Sequence, residues 1–140
     1  MSAEIEVVHR FLGRLQEMDA AGAVDLCADD VIYQNVPLPA ARGRKAVRRQ
    51  LRAMTRLGTG FEVEMVNIAA NGPVVLTERV DVLRRKNFSM EFWVCGTFEV
   101  RDGKIVLWRD YFDWPTFLAS GVRGAGRAAM GAVARRRAAR

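Results

Sequence analysis

Two dipeptides do most to limit what this chain can become. Asn71-Gly72 lies between the runs Phe61–Ala70 and Val74–Arg85, and Asp102-Gly103 lies between Phe88–Arg101 and Ile105–Asp113. Asn-Gly and Asp-Gly supply the positive φ angles that a two-residue hairpin turn requires, and such turns match the twist of the strands they join. Four consecutive runs therefore fold back on one another as an antiparallel meander. One of them carries Phe88, Met90, Phe92, Val94, Gly96, Phe98 and Val100 on a single face. A face that apolar must be covered by helices or line a pocket, and Gly96 is expected to mark a bend in it.

The cover precedes the meander. Residues 3–18 place Ile5, Val8, Phe11, Leu12 and Leu15 at helical spacing, and a second short helix runs from Ala20 to Cys27. A strand over Val31–Asn35 stops at Pro37 and Pro39. The third helix, Gly43–Met54, has a basic outer face (Arg44, Lys45, Arg48, Arg49, Arg52) and is closed by Gly58 and Gly60. Trp114-Pro115 opens a short closing helix with Phe117 and Leu118 available for packing. The order α-α-β-α-β-β-β-β predicts an α+β domain in which a curved antiparallel or mixed sheet wraps the N-terminal helices.

The 140 residues, half of them apolar, suffice for one domain with a core and room for a pocket. The net charge of +6 is local, because residues 121–140 hold six arginines and no acid, leaving 16 basic and 16 acidic residues elsewhere. This predicts a folded domain over 1–120 and a flexible, solvated basic tail over 121–140. It argues against a body-wide nucleic-acid surface and leaves weak contact of the tail with an anionic surface as its sharper role. No leader or membrane-length apolar run is visible, and Cys27 and Cys95 show no CxxC spacing. A cytoplasmic protein with reduced core cysteines is expected.

The chemistry lies in charges placed within apolar strands. Thr77-Glu78-Arg79-Val80-Asp81 and Trp108-Arg109-Asp110-Tyr111-Phe112-Asp113 both interrupt strand-like sequence. Burying an unpaired charge costs several kcal/mol or more, so such positions demand a partner or a use. Alternation puts Asp110 on one face with Val106, Trp108 and Phe112, and Arg79 on one face with Asp81. If both faces look into one cavity, an Asp–Arg–Asp cluster results. Taken singly, each residue has a plainer explanation: Arg79–Asp81 as a structural ion pair, Tyr33 as a core tyrosine, Asn35 as a strand end, Trp93 and Trp108 as core. Arg109, Tyr111 and Asp113 point to the opposite face, toward packing or a dimer surface.

What is missing narrows the chemistry. His9, on the first helix, is the only histidine, and there is no GxGxxG, P-loop or GxSxG motif. A metal or nucleotide cofactor is therefore not expected, and carboxylates, Arg, Tyr and Asn must do the work. An aspartyl ester would need a base to release it, usually His, so one-step attack by water fits the inventory better.

Three blocks resemble the limonene-1,2-epoxide hydrolase family of the cone-shaped, nuclear-transport-factor-like superfamily. They are Tyr33-Gln34-Asn35 with Pro37-Leu38-Pro39, then Thr77 through Leu83, then Trp108 through Asp113, joined by Gly43-Arg44 and Asp102-Gly103. The resemblance spans roughly residues 5–118 and implies a cone with a deep hydrophobic pocket, usually dimeric through the convex sheet face. Trp93, Cys95 and Tyr111 alternate compatibly with that face. It also implies a cofactor-independent hydrolase that opens an epoxide to a vicinal diol. By resemblance, Asp110 is the general base toward water, Tyr33 and Asn35 hold that water, Asp81 is the general acid toward the epoxide oxygen, and Arg79 bridges the carboxylates. Phe92, Val94 and Phe112, with Leu83 and Phe117, would bind an apolar terpene, lipid or sterol epoxide. The competing readings are an isomerase or cyclase of steroid- or polyketide-like substrates, and a non-catalytic module binding a small hydrophobic ligand.

Overall fold

The computed structural model describes residues 1–139. Helices α1 (Ala3–Gln16) and α2 (Ala20–Asp25) precede strand β1 (Cys27–Val36), the two-residue β2 (Ala41–Arg42) and helix α3 (Arg44–Leu57). The meander follows as β3 (Gly60–Asn71), β4 (Val74–Arg85), β5 (Phe88–Arg101) and β6 (Lys104–Phe112), and helix α4 (Trp114–Ala138) closes the chain. The six strands form one sheet in the order β2-β1-β6-β5-β4-β3. β1 runs parallel to β6 and every other neighbouring pair is antiparallel, so the sheet is mixed.

The helices start where polar caps permit. Ser2 accepts from the Ile5 amide at 3.3 Å, Asp19 from Gly22 at 2.9 Å and Asp113 from Thr116 at 3.4 Å. α1 then buries Val7, Val8, Phe11, Leu12 and Leu15 against the concave face of the sheet. That core, which also takes in Val47 and Leu51 of α3 and Phe98 and Trp108 of the sheet, fills one end of the cone. A smaller cluster of Met90, Phe92 and Val94, with Leu83, Phe88, Phe112 and Phe117 against it, fills the other. The site lies between the two.

Several details depart from expectation. Asp102 and Gly103 both have positive φ (49° and 73°), as the hairpin requires. The first turn instead sits at Gly72-Pro73, with Asn71 already paired to Val74. Glycine at the first central position with φ 57°, followed by a proline fixed near −65°, is the other favoured hairpin geometry. In β6, Ile105 faces the core where Val106 was expected. Glu99 pairs with Leu107 and Val100 with Ile105, so Val106 is an extra residue in a bulge that reverses the alternation.

The closing helix is not short, and it takes in most of the segment expected to be a flexible tail. It continues through residues 121–138, so the expected boundary at 120 falls inside it. Alanine and arginine are among the best helix formers, and Ser120 and Gly124 are buried along the contact with β5. Gly124 is required there, since a Cβ would lie 2.2 Å from the Ser89 carbonyl oxygen.

Candidate active site

Alternation along β4 turns Val75, Thr77, Arg79 and Asp81 inward, and leaves Glu78 outside to accept from Asn67 at 2.7 Å and Trp93 at 3.0 Å. On β6, Trp108 and Asp110 turn inward. β5 lies between these strands, with Val94 opposite Arg79 and Gly96 opposite Asp110. Gly96 leaves the gap through which the guanidinium crosses. A Cβ there would lie 2.5 Å from Arg79 Nη1 and 2.6 Å from Asp110 Oδ1. The β4–β5 pairing runs through Gly96 without a register shift, so no bulge interrupts the strand there.

Arg79 has no exposed surface and Asp81 and Asp110 are each 3% exposed. The guanidinium donates from Nε to Asp81 Oδ1 and from Nη2 to Asp81 Oδ2, both at 3.1 Å, a two-pronged grip. Nη2 also donates to Asp110 Oδ2 at 2.9 Å, and Nη1 to Thr77 Oγ1 at 3.1 Å. Thr77 in turn donates to the Gly96 carbonyl at 3.3 Å. The second oxygen of Asp110 accepts from the Trp108 indole at 2.9 Å.

One cation thus serves two carboxylates. Burial raises the pKa of Asp110 against the pull of Arg79 and the Trp108 hydrogen bond. Burial also raises Asp81, opposed by Arg79 and reinforced by the charge of Asp110. Burial works against the charge on Arg79, but the two carboxylates more than offset it and hold the guanidinium charged. One guanidinium charge can balance only one of the two carboxylates, so the pair titrates as a unit.

Tyr33 and Asn35 come from β1, where Tyr33 pairs with Trp108 and Asn35 with Asp110. Asn35 Nδ2 donates to the Tyr33 hydroxyl at 2.9 Å. The Tyr33 ring stacks on Trp108 with centroids 3.9 Å apart. Burial, then the charge of Asp110, pushes the Tyr33 pKa up, so its hydroxyl keeps its proton as a fixed donor.

These groups border a cavity of about 190 Å³. Tyr33, Asn35, Asp81 and Asp110 reach its surface, as do Leu83, Phe92, Phe112 and Phe117. Two expected site residues lie outside the lining. Arg79 sits behind the wall and touches the cavity only through its carboxylates. Val94 is wholly buried beneath the aromatic cluster and backs the wall. The lining also takes in Leu15, Met54, Phe61, Trp108 and Trp114, which sequence patterning had assigned to core or left unassigned. Trp108 had a readable signal, since a buried indole N–H needs an acceptor and Asp110 lies two residues on along the same face. Among the described residues, no three His, Cys, Asp or Glu side chains converge as metal ligands.

The geometry now has counterparts. The description of the limonene-1,2-epoxide hydrolase catalytic domain matches residues 2–123, most of the chain. The chain belongs to the limonene-1,2-epoxide hydrolase family. Within this epoxide hydrolase family it is 45% identical over 106 residues to epoxide hydrolase EphG of Mycobacterium tuberculosis, covering 76% of this chain and 70% of that protein. The structure of an M. tuberculosis epoxide hydrolase resembling the limonene enzymes superposes with a TM-score of 0.85 at 40% identity, over 92% of this chain and 96% of that one. The fold reaches further than the family: a SnoaL-like polyketide cyclase from Jannaschia matches at TM-score 0.74 with 11% identity, over 85% of this chain and 91% of that one. At that identity the likeness concerns architecture alone.

Proposed function

We propose that this limonene-1,2-epoxide hydrolase relative opens an apolar epoxide by one-step attack of water, without a cofactor. The Asp110–Arg79–Asp81 bridge carries this reading. Asp110 takes a proton from a water held by Tyr33 and Asn35 as the water oxygen bonds to one epoxide carbon. The bond from that carbon to the ring oxygen breaks, and the oxygen takes the proton of Asp81. The product is a vicinal diol, with the proton now on Asp110 and the charge on Asp81. Return of one proton between two carboxyls fixed to one guanidinium restores the starting state.

The Trp108 indole supports the assignment of base and acid, because a hydrogen bond to a carboxylate favours its ionised form and Asp110 alone receives it. The aromatic wall of Phe92, Phe112, Trp114 and Phe117 supports an apolar substrate. A cavity of about 190 Å³ is smaller than the roughly 300–1,000 Å³ of typical ligand sites. It therefore suits a terpene-sized ring or the middle of an acyl chain better than a sterol. An isomerase or cyclase would also use a buried base but has no need of a guanidinium joining two carboxylates.

We further assign the convex sheet face, with Leu76, Trp93 and Tyr111 about half exposed beside a shallow hollow of about 290 Å³, to contact with a second copy of the chain. The unpaired arginines of α4 suit an anionic surface. Two unpaired cysteines fit a reducing, cytoplasmic compartment, with burial pushing the Cys27 thiol up to about 12. Among the described residues, no helix is long and apolar enough to cross a membrane.

The test is a panel of terpene, aryl and fatty-acyl epoxides in oxygen-18 water. Labelled diol that disappears in Asp110→Asn is the expected result. Diol that persists in that variant would overturn the mechanism. First-turnover oxygen taken from a protein carboxylate would replace direct attack with a covalent route.

A further inference from the structure

The charge of this molecule is sorted in space more sharply than along the chain. Helices α3 and α4 hold eleven of its 22 Lys and Arg residues and none of its 16 Asp and Glu. The rest therefore has eleven basic against sixteen acidic residues and is net negative. Among the described residues, the ion pairs use Arg14, Arg44, Arg79, Arg84 and Arg101. None engages Lys45, Arg48, Arg49, Arg52 or Arg56 of α3, which together line an open surface hollow of about 460 Å³. The Arg48 Nε is shielded from solvent and finds no acceptor in the protein.

The same two helices carry exposed apolar side chains and border the cavity. Leu57 of α3 is 60% exposed, and Leu118, Val122 and Met130 of α4 are 62–75% exposed. Leu57 lies one turn beyond Met54, and Leu118 adjoins Phe117, both lining residues of the cavity. A single-stranded nucleic acid would call for exposed aromatic side chains between the cations, and neither helix offers one; Trp114 and Phe117 are turned into the cavity. Cations that draw a surface near, beside aliphatic side chains that rest among its acyl chains, match an anionic bilayer.

We propose that the α3–α4 surface adsorbs to anionic lipid membranes, bringing the mouth of the cavity to the phase in which apolar epoxides dissolve. The delivery role rests on the epoxide hydrolase reading; the adsorption does not. The full chain is sedimented with phosphatidylcholine vesicles, with and without roughly three parts in ten of phosphatidylglycerol, at low and physiological salt. Binding is expected only with the anionic lipid, weakening as salt rises. The quadruple variant Arg48→Gln, Arg49→Gln, Arg52→Gln, Arg56→Gln is expected to bind about tenfold or more weakly. Leu57→Ser with Leu118→Ser should weaken binding with its salt slope kept.

Absence of binding, equal binding to neutral vesicles, or full binding by the quadruple variant overturns the proposal. Tighter binding to a single-stranded oligonucleotide than to the anionic vesicles assigns the surface to nucleic acid instead. Circular dichroism confirms that the variants remain folded. Hydrolysis of a water-soluble epoxide without vesicles should be unchanged in the quadruple variant. Loss of hydrolysis in Asp110→Asn with vesicle binding retained separates the two readings.

Discussion

At the scale of single residues, the site depends on atoms that do not touch a substrate. Gly96 contributes by lacking a Cβ, so Gly96→Ala must displace Arg79 or Asp110. Its expected cost is about 1–3 kcal/mol of stability, as for other overpacked interiors, measured by urea unfolding, with a larger fractional loss of turnover. Trp108→Phe keeps the ring and removes the N–H donor to Asp110. Since that bond favours the ionised carboxylate, its loss should raise the Asp110 pKa further. The acid limb of kcat against pH then moves to higher pH, and an unmoved limb would mean that Trp108 does not tune Asp110. Asp110→Asn should cost roughly 10²–10⁴-fold in kcat while keeping the fold, because the amide fills the same volume. Arg79, Asp81 and Asp110 were legible in the sequence because charge inside strands is conspicuous. Gly96 and Thr77 were not, because their roles arise only when β4, β5 and β6 lie side by side, whereas the signal of Trp108 lies within β6 itself.

At the scale of elements, the strands were legible wherever alternation was uninterrupted. β5 presents the face that its residues announce, from Met90 to Val100. Alternation misplaces Val106 because a bulge inserts one residue without any marker in its side chain. β2 escaped notice because Ala41-Arg42 is too short to carry a period and is defined by pairing with Ile32 and Tyr33. The length of α4 is hidden in the sequence because small residues and arginine resemble a solvated tail, whereas its packing on β5 depends on glycine as a contact surface. Gly124→Val should push the helix off the Ser89 carbonyl. Amide exchange across residues 121–138 is then expected to quicken while β4 and β6 stay protected; unchanged exchange would mean the contact is dispensable.

At the scale of the whole molecule, the raised carboxyl pKa values link stability to pH. Asp81 and Asp110 hold protons more tightly folded than unfolded. Their contribution is fully present below the unfolded value of about 3.9 and is lost as pH rises through their folded values. Denaturant unfolding should therefore show Asp110→Asn gaining stability relative to the parent as pH rises, with the gap closing in acid. A constant gap would contradict the burial-driven shift. Trp93→Glu on the convex face should convert a dimer to monomers by light scattering, and a parent that is already monomeric would remove that interface.

The parallel pairing of β1 with β6 also bears on how the molecule is made. Tyr33 and Asn35 leave the ribosome some seventy residues before Trp108 and Asp110, their partners in the sheet. Until β6 has emerged, β1 can pair only with the two residues of β2. β1 must therefore wait for its long partner, while the β3–β5 meander forms through local turns and already offers α1 a sheet to pack on. The pairing that sets Tyr33 and Asn35 beside Trp108 and Asp110 therefore forms only after β6 has emerged, and a chain that stops short of β6 lacks half of the site.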